Sequence, residues 1–495
     1  MIEVTSVDNM RKSDSYTIEN KIDSLTLMYK AGEGIYNSVK WHGRVLIACG
    51  TGNNAGDGYV VALLLKRAGY DVELLLAEER FSPDGLHYYN MCREENVPTS
   101  VYNLQKLDGY DIILDCIFGT GFKGEVKGRT KALIEAINQS GAYIVSADIN
   151  SGLNGDSGLG NTAVKSDLTV SIGTYKSGHF LSMAKDKIGS LENVDIGIDL
   201  IDKPYLLLEK EDVRAFLGNR LSFSNKGTYG YISLLGGCLQ YGGAMKLANL
   251  SATAMRSGAG VVRLCVPKDL VSSVAPYILE STLYPLSSEN GSIKFYENEI
   301  QGAIKGSKAV AIGMGLGQEG DNAKIIEYVL QNADATVIID ADGLNTLSKM
   351  DLSTIKNSRC RVVLTPHLKE MERLCGVPLD KILENPVFYA TEFAREIGAI
   401  LLLKGPTTII TDGKTVYMTD KGCAGMATAG SGDVLSGIIA ALCASHSDTL
   451  MATAAAAYIN GYAGEIAQKE FGAISMIASD TAKSVAKAIN QIQKI

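Results

Sequence analysis

The chain has 495 residues, 46% hydrophobic and 21% charged, an ordinary globular composition and enough length for two or three domains. Its net charge of −8 mixes both signs along the sequence with no basic stripe, which argues against nucleic-acid binding. No apolar run approaches the roughly 18 residues of a membrane span. The polar start MIEVTSVDNMRKSDS lacks the apolar core of a secretion signal, and nine cysteines without CxxC spacing point to reduced thiols in a cytoplasmic protein rather than disulfides or zinc.

In the first half, VLIACG (45–50), DVELLLA (71–77), DIILDCIFG (111–119), AYIVSADI (142–149) and DLTVSIG (167–173) read as buried strands. Helix-like stretches such as GYVVALLLKRA (58–68) lie between them. This alternation predicts a parallel sheet covered on both faces. GTGNNAGDG (50–58) follows the first strand. Its spacing is wrong for a GxGxxG dinucleotide loop, and its Asn and Asp oxygens suit a hard monovalent cation or a polar ligand as well as a solvated turn. LDCIFGTGFKGE (114–125) and SADINSGLNGD (146–156) also follow strands. Asp115, Asp148, Asn150 and Ser151 are therefore expected at strand C-terminal ends, where open α/β sheets bind ligands. Asp148 is a candidate acid–base residue and equally a turn aspartate.

The pattern weakens over the charged stretch 201–220, and the domain boundary is placed near Leu206. It restarts with YISLLGG (231–237), GVVRLCV (260–266), AVAIGMG (309–315), TVIIDADG (336–343), RVVLTPH (361–367), AILLLKG (399–405) and TTIITDG (407–413), followed by an alanine-rich helical stretch at 450–463. The segment GMATAGSGDVLSG (425–437) concentrates small residues ahead of a helix start, so its N–H groups should form an anion hole. Asp433 sits where that turn meets the helix. It could take a proton from a hydroxyl attacking a phosphoryl group, or merely cap the helix. LKGPTT (403–408) offers Lys404 as a phosphate partner, or is a plain turn after a strand. DADGLN (340–345) places two carboxylates at a strand end, where one could organise Mg²⁺ or act as a cap.

The second half resembles the ribokinase-like ADP/ATP-dependent NAD(P)H-hydrate dehydratases. The motifs that carry the resemblance are KGTYG (226–230), LLGG (234–237), MRSGAGVV (255–262), IGMGLG (312–317), DADGLN, TPH (365–367), LKGPTT and GMATAGSGDVLSG, in family order. The resemblance implies Asp433 as catalytic aspartate and substrate contact. It implies a nucleotide site at Lys404, Gly405, Pro406, Thr407, Thr408 and Gly432, and contacts to the hydrated dinucleotide from Ala244, Gly315 and His367, with Ala244 expected in a variable loop. TPHLKE stands where the family often has TPHPGE, and CAGMATAGSGD where it often has NPGMATGGSGD. Both changes alter turn stiffness and leave backbone donors in place.

Residues 1–200, through 50–58, 114–125, 146–156 and SDLTVSIGTYKSGH (166–179), are similar to the NAD(P)H-hydrate epimerases. This implies hydrate binding by Asn53, Asn54, Ala55, Gly56 and Asp57, by Gly119, Thr120, Gly121, Phe122, Lys123, Gly124 and Glu125, and by Asp148 as the catalytic residue. It also implies a K⁺ ion held by Asn54, Asp115 and Ser151. Asn150 replaces the proline of the family's DIPSG, a change expected to loosen the loop carrying Ser151.

The expectation is an α/β protein of two domains. Residues 1–206 would form a Rossmann-like three-layer αβα sandwich with epimerase activity, and 207–495 a ribokinase-like αβα dehydratase domain. The substrates would be the R and S hydrates of NADH and NADPH, with ADP or ATP as phosphoryl donor, Mg²⁺ and K⁺ as ions, and a homo-oligomeric state. The competing reading is a small-molecule hydroxyl kinase joined to a non-catalytic ligand-binding module.

Overall fold

The computed structural model describes residues 1–250 and 256–494. The chain divides into two compact units, Glu3–Tyr205 and Leu206–Ile495, the second also taking in Met1–Ile2.

The first unit is built on seven strands in the order Thr99–Val101, Asp71–Leu76, Arg44–Cys49, Ile112–Cys116, Tyr143–Ala147, Ser166–Ile172, Ile188–Val194. Every neighbouring pair in it is parallel. The alternation of side chains in Arg44–Cys49 explains the three layers. Val45, Ile47 and Cys49 enter one core beneath the helix Asn53–Arg67. Leu46 and Ala48 enter the other, beneath Gly128–Gln139. Two faces buried at once require a continuously apolar strand, and burying each Leu or Ile contributes about 1.5–3 kcal/mol. The edge strand Ile188–Val194, IGSLENV, was not predicted. None of its residues is fully buried, and only Ile188, Leu191 and Val194 are half-buried, so its sequence carries too few apolar residues to announce a strand.

The second unit holds a sheet in the order Thr282–Leu286, Val261–Pro267, Tyr231–Leu235, Ala309–Ile312, Thr336–Ile339, Arg361–Leu364, Ile400–Leu403, Thr408–Thr411, Val416–Thr419. It is parallel up to Ile400–Leu403. The last two pairings are antiparallel, so this sheet is mixed, not wholly parallel. LKGPTT is therefore the turn of a β-hairpin between the two strand-like runs that flank it in the sequence. One face of the sheet packs on Ser431–Ser445 and Thr449–Phe471, and Ala478–Gln493 packs on these two helices. The alanine-rich stretch is the middle of the long helix Thr449–Phe471, where Ala452 and Ala454 to Ala457 are buried between helix and sheet. Small side chains there let the helices lie close together.

In both units the strands end on one rim of the sheet, and the loops that leave that rim carry the candidate chemistry. Gly50 shows how tightly those loops pack in the first unit. A Cβ at this position would fall 1.9 Å from the Ile117 carbonyl, so only glycine lets the loops after two adjacent strands meet.

Candidate active sites

In the second unit the site is assembled around Asp340, at the end of the strand Thr336–Ile339. Its carboxylate is buried and takes three hydrogen bonds. Oδ1 accepts from Thr365 Oγ1 (2.8 Å) and from the Lys404 ammonium (2.9 Å), and Oδ2 accepts from Ser436 Oγ (2.8 Å). Burial alone would push Asp340 up, but Lys404 and these hydrogen bonds hold it below the usual carboxylate range. Burial would likewise push Lys404 down, yet Asp340 and then Glu370, 3.8 Å away, raise it above its ordinary value. Lys404 is thus a fixed cation. Its strand end is brought beside the 365–367 loop, where Lys404 N donates to the Pro366 carbonyl (2.9 Å).

The helix Ser431–Ser445 points its N-terminus at this pair. A Cβ on Gly432 would lie 3.4 Å from Asp340 Oδ2 and 3.5 Å from Lys404 Nζ. The predicted nucleotide residues Lys404 and Gly432 therefore converge, and free helix N–H groups with an ammonium beside them make an anion site. The turn depends on Gly430, whose φ is +92° and whose missing Cβ leaves room for Leu247. In the hairpin turn Gly405 and Pro406 are exposed, Thr407 is buried and Thr408 half-buried.

Asp433 is not a cap. The N-cap is Gly430, without a side-chain cap hydrogen bond, and Asp433 is the third residue of the helix. Among the described residues none donates a hydrogen bond to its carboxylate. Burial first, then the neighbouring Asp340 charge, raises it to about 7, against the opposing pull of Lys404. A carboxylate that titrates near neutrality, unpaired beside an anion site, is suited to general-base work.

The remaining candidates surround this centre. Gly315 (φ +59°) lies in a loop of left-handed glycines, and a Cβ there would be 2.9 Å from Ala244 Cβ, so these two predicted contacts are adjacent. Ala244 is on the helix Gly242–Asn249, however, and not in a loop. The loop is tied down by Gly317 N donating to Asp342 Oδ2 (2.9 Å). Between Asp340 and Asp342 the backbone of Ala341 is left-handed (φ +49°), local strain of about 1–3 kcal/mol at the site. His367 has a structural task that its sequence context did not reveal. Its Nδ1 accepts from Lys369 N (3.1 Å) and Glu370 N (3.3 Å), while His367 N donates to Glu370 Oε2 (2.8 Å), a reciprocal cap on Leu368–Cys375. Burial and the nearby Lys404 lower its basicity, consistent with an accepting Nδ1. Met255, in the 255–262 motif, lies outside the described residues.

In the first unit a cavity of about 630 Å³ opens on the sheet rim. Asn53, Asn54, Asp57, Gly119, Thr120, Gly121, Phe122, Lys123 and Asp148 all line it. Ala55 and Gly56 instead pack inside the first turn of the helix Asn53–Arg67, while Gly124 and Glu125 are exposed outside the lining. The stretch 53–57 is thus a helix N-terminus rather than a solvated turn.

Asp148 is left-handed (φ +62°) and held from three directions. The Lys176 ammonium donates to its Oδ1 (2.5 Å), Thr120 N to its Oδ2 (3.4 Å), and His179 Nε2 to its backbone carbonyl (2.7 Å). His179 Nδ1 accepts from Lys176 N (3.0 Å), which sets this tautomer. Burial, then Lys176, push His179 down to about 4, so it is neutral. Burial opposes ionisation of Asp148, but Lys176 prevails and holds it below the usual range. Asp57 has no such partner, and burial and the Asp148 and Asp14 charges push it well above that range. Lys176 and Asp14 were not singled out from the sequence. Lys176 stands within the 166–179 segment without a signal of its own, and Asp14 comes from Val7–Asn20, distant in sequence from the loops at 50–58, 114–125 and 146–156.

Asn54, Asp115 and Ser151 meet beneath the cavity. Ser151 donates to Asp115 through Oγ (2.5 Å) and N (2.9 Å), Asn54 Nδ2 donates to the Phe118 carbonyl (3.1 Å), and Phe118 N donates to Ser151 Oγ (2.8 Å). Asn54 Oδ1 is buried with no hydrogen-bond partner. An orphaned amide oxygen beside a carboxylate, a hydroxyl and a carbonyl is an all-oxygen donor set that fits a hard cation. Asn150 does not loosen this loop. Its Nδ2 lies 3.0 Å from each of Val164 O, Ser166 Oγ and Lys187 O, and its Oδ1 accepts from Thr169 Oγ1 (2.6 Å). Hydrogen bonds replace the rigidity of the family's proline.

These sites and folds define a two-domain α/β enzyme that joins an acid–base cavity to a phosphoryl-transfer centre. Residues 232–487 match the family model described as NAD(P)H-hydrate dehydratase, and 24–178 match that of the YjeF-related protein N-terminus. The bifunctional NAD(P)H-hydrate repair enzyme of Moorella thermoacetica is 34% identical over 93% of this chain and 92% of its own. That of Archaeoglobus fulgidus is 33% identical over 94% of each. Among solved structures, the ADP/ATP-dependent NAD(P)H-hydrate dehydratase of Bacillus subtilis, crystallised with ATP and Mg²⁺, is 29% identical with a TM-score of 0.51, covering 58% of this chain and 99% of that one. A ribokinase-like protein of Enterococcus faecalis shares the fold at 22% identity and a TM-score of 0.50, over 59% of this chain and 97% of its own. The chain belongs to the bifunctional NAD(P)H-hydrate repair enzymes.

Proposed function

We propose that the second unit converts the S hydrate of NADH or NADPH back to the reduced cofactor at the expense of ADP or ATP, and that the first unit interconverts the R and S hydrates. The observation that carries this reading is Asp433, uncapped, unpaired and titrating near 7 at a helix N-terminus beside Lys404.

The hydrate carries a hydroxyl on C6, beside the ring nitrogen, and hydroxide is a poor leaving group. Asp433 takes the hydroxyl proton as the oxygen attacks the terminal phosphoryl group. Lys404 and the N–H groups of Gly432 and Asp433 hold the phosphate charge. The ring nitrogen lone pair then expels phosphate, and loss of a proton at C5 restores the dihydronicotinamide. Asp340 already accepts from Lys404, Thr365 and Ser436, so Mg²⁺ would be carried largely by the nucleotide phosphates, where it would neutralise charge. His367, Gly315 and Ala244 are proposed to face the dinucleotide.

In the first unit Asp148 is the proposed base for epimerisation at C6, with Asn53, Asp57 and Gly119 to Lys123 around the substrate. Asn54, Asp115 and Ser151 would hold K⁺, which would neutralise the buried Asp115 and fix the loop beside Phe118. A homo-oligomer is proposed as well, with the fully exposed Phe223 and Ile474 as side chains a second copy would cover. No helix among the described residues is long and apolar enough to cross a membrane. A cytoplasmic location is proposed from the nine cysteines, which show no CxxC spacing. Chemically hydrated NADH incubated with the protein and ADP or ATP tests the reading, which predicts return of the reduced-nicotinamide absorbance. A stable phosphorylated product without that return would establish a simple kinase instead.

A further inference from the structure

Lys176 is buried, with 1% of its surface exposed, yet it lines the cavity of the first unit. The fold delivers it by an indirect route. The two-residue strand Tyr175–Lys176 pairs parallel with Val4 and Thr5, and the turn Ser177–His179 follows at once. An ammonium has three N–H donors. One goes to Asp148 Oδ1 (2.5 Å) and one to the Ile172 carbonyl (2.7 Å). Among the described residues there is no acceptor for the third.

A buried lysine that served only to neutralise Asp148 would be enclosed on all sides. This one reaches the wall of a ligand-sized cavity with a donor to spare, next to the proposed base. We propose that Lys176 is a catalytic residue of epimerisation, donating its free N–H to the C6 oxygen of the hydrate while Asp148 exchanges that oxygen's proton. The proposal rests on the epimerase reading of the first unit.

The step balances within the site. Asp148 takes the C6 hydroxyl proton, and negative charge gathers on oxygen against the Lys176 ammonium. The C6–N1 bond breaks and its electron pair goes to the ring nitrogen, spread through the ring double bond into the carboxamide. The oxygen becomes an aldehyde carbonyl, still bound to Lys176. Rotation about C5–C6 presents the other face. N1 adds again, and Asp148 returns the proton to oxygen. No oxidant, reductant or second substrate is needed. Arg11 and Lys123 also line the cavity, and Asp14, Asp57 and Asp84 are its other carboxylates, but none of these is bound to Asp148.

Steady-state epimerisation of purified R hydrate by the full chain tests the proposal. Lys176→Met is expected to lower kcat by about a hundredfold with little change in KM, the usual loss on removing one donor to a developing oxyanion. Its pH–rate profile should also shift upward, since Asp148 loses the cation that keeps it ionised. Lys176→Ala with added ethylammonium should recover activity, which only a folded protein with a vacated ammonium site can do. Wild-type kcat in Lys176→Met, alongside loss in Asp148→Asn, would overturn the proposal alone. A lowered kcat with an unmoved pH profile and no amine rescue would also overturn it, assigning Lys176 a purely structural role. A wild-type chain that does not accelerate epimerisation would overturn the underlying reading and the proposal together.

Discussion

Asp433 and Asp148 are carboxylates of opposite character, and the difference lies in what stands beside each. Asp148 has a cation in contact and is held ionised, whereas Asp433 has a carboxylate neighbour and Lys404 engaged elsewhere. The sign of the pH dependence follows. Asp433 must be unprotonated to act, so the dehydration rate should fall as pH drops below about 7 and level off above it. A pH–rate profile with S hydrate and saturating ADP or ATP checks this. The raised value also means that ionised Asp433 is disfavoured in the folded state and opposes folding at higher pH. Asp433→Asn is therefore expected to abolish dehydration yet raise Tm at pH 8 by roughly 2–4 °C, about 1 kcal/mol, as functional carboxylates often trade stability for activity. Calorimetry beside the activity assay separates the two effects.

At the scale of elements, each site sits where a strand ends and a helix or turn begins. This is why Asp115, Asp148, Lys404 and Asp433 were legible in the sequence: the first three stand at or near the end of an apolar run with glycine close by, and Asp433 stands between a glycine-rich turn and an apolar helix. What was not legible came from pairing between distant segments. Lys176 reaches Asp148 through a two-residue strand that has no hydrophobic signature, and Asp14 is one polar residue on the helix Val7–Asn20. At Lys404 the sequence showed two strand-like runs either side of a turn but not that they pair antiparallel, because parallel and antiparallel strands of four residues look alike in sequence. His367 was read as a contact to the dinucleotide and its cap was missed, since its partner, Glu370, is an ordinary helical residue by pattern. The two roles can be separated. His367→Ala removes both and should cost about 1 kcal/mol of stability, whereas His367→Asn keeps a capping side chain. If His367 also faces the dinucleotide, His367→Asn should hold Tm near the wild type and still raise KM for the hydrate.

For the molecule as a whole, one chain carries both activities, and their division between the units has a simple consequence. Dehydration of the S form alone would strand the R form. With Asp148→Asn, a mixture of R and S hydrates should be repaired in two phases, a fast one exhausting the S form and a slow one at the spontaneous epimerisation rate. The wild type should show a single phase to completion, followed by the reduced-nicotinamide absorbance. A wild-type and a variant trace that coincide would place the epimerising base elsewhere. The most direct measurement of the central claim is the same absorbance with pure S hydrate, ADP or ATP and Mg²⁺, comparing wild type with Asp433→Asn. The account predicts full recovery of reduced cofactor with one phosphate released per molecule repaired in the wild type, and none in the variant. Recovery that persists in Asp433→Asn, or nucleotide consumed in the wild type without recovery, would contradict it.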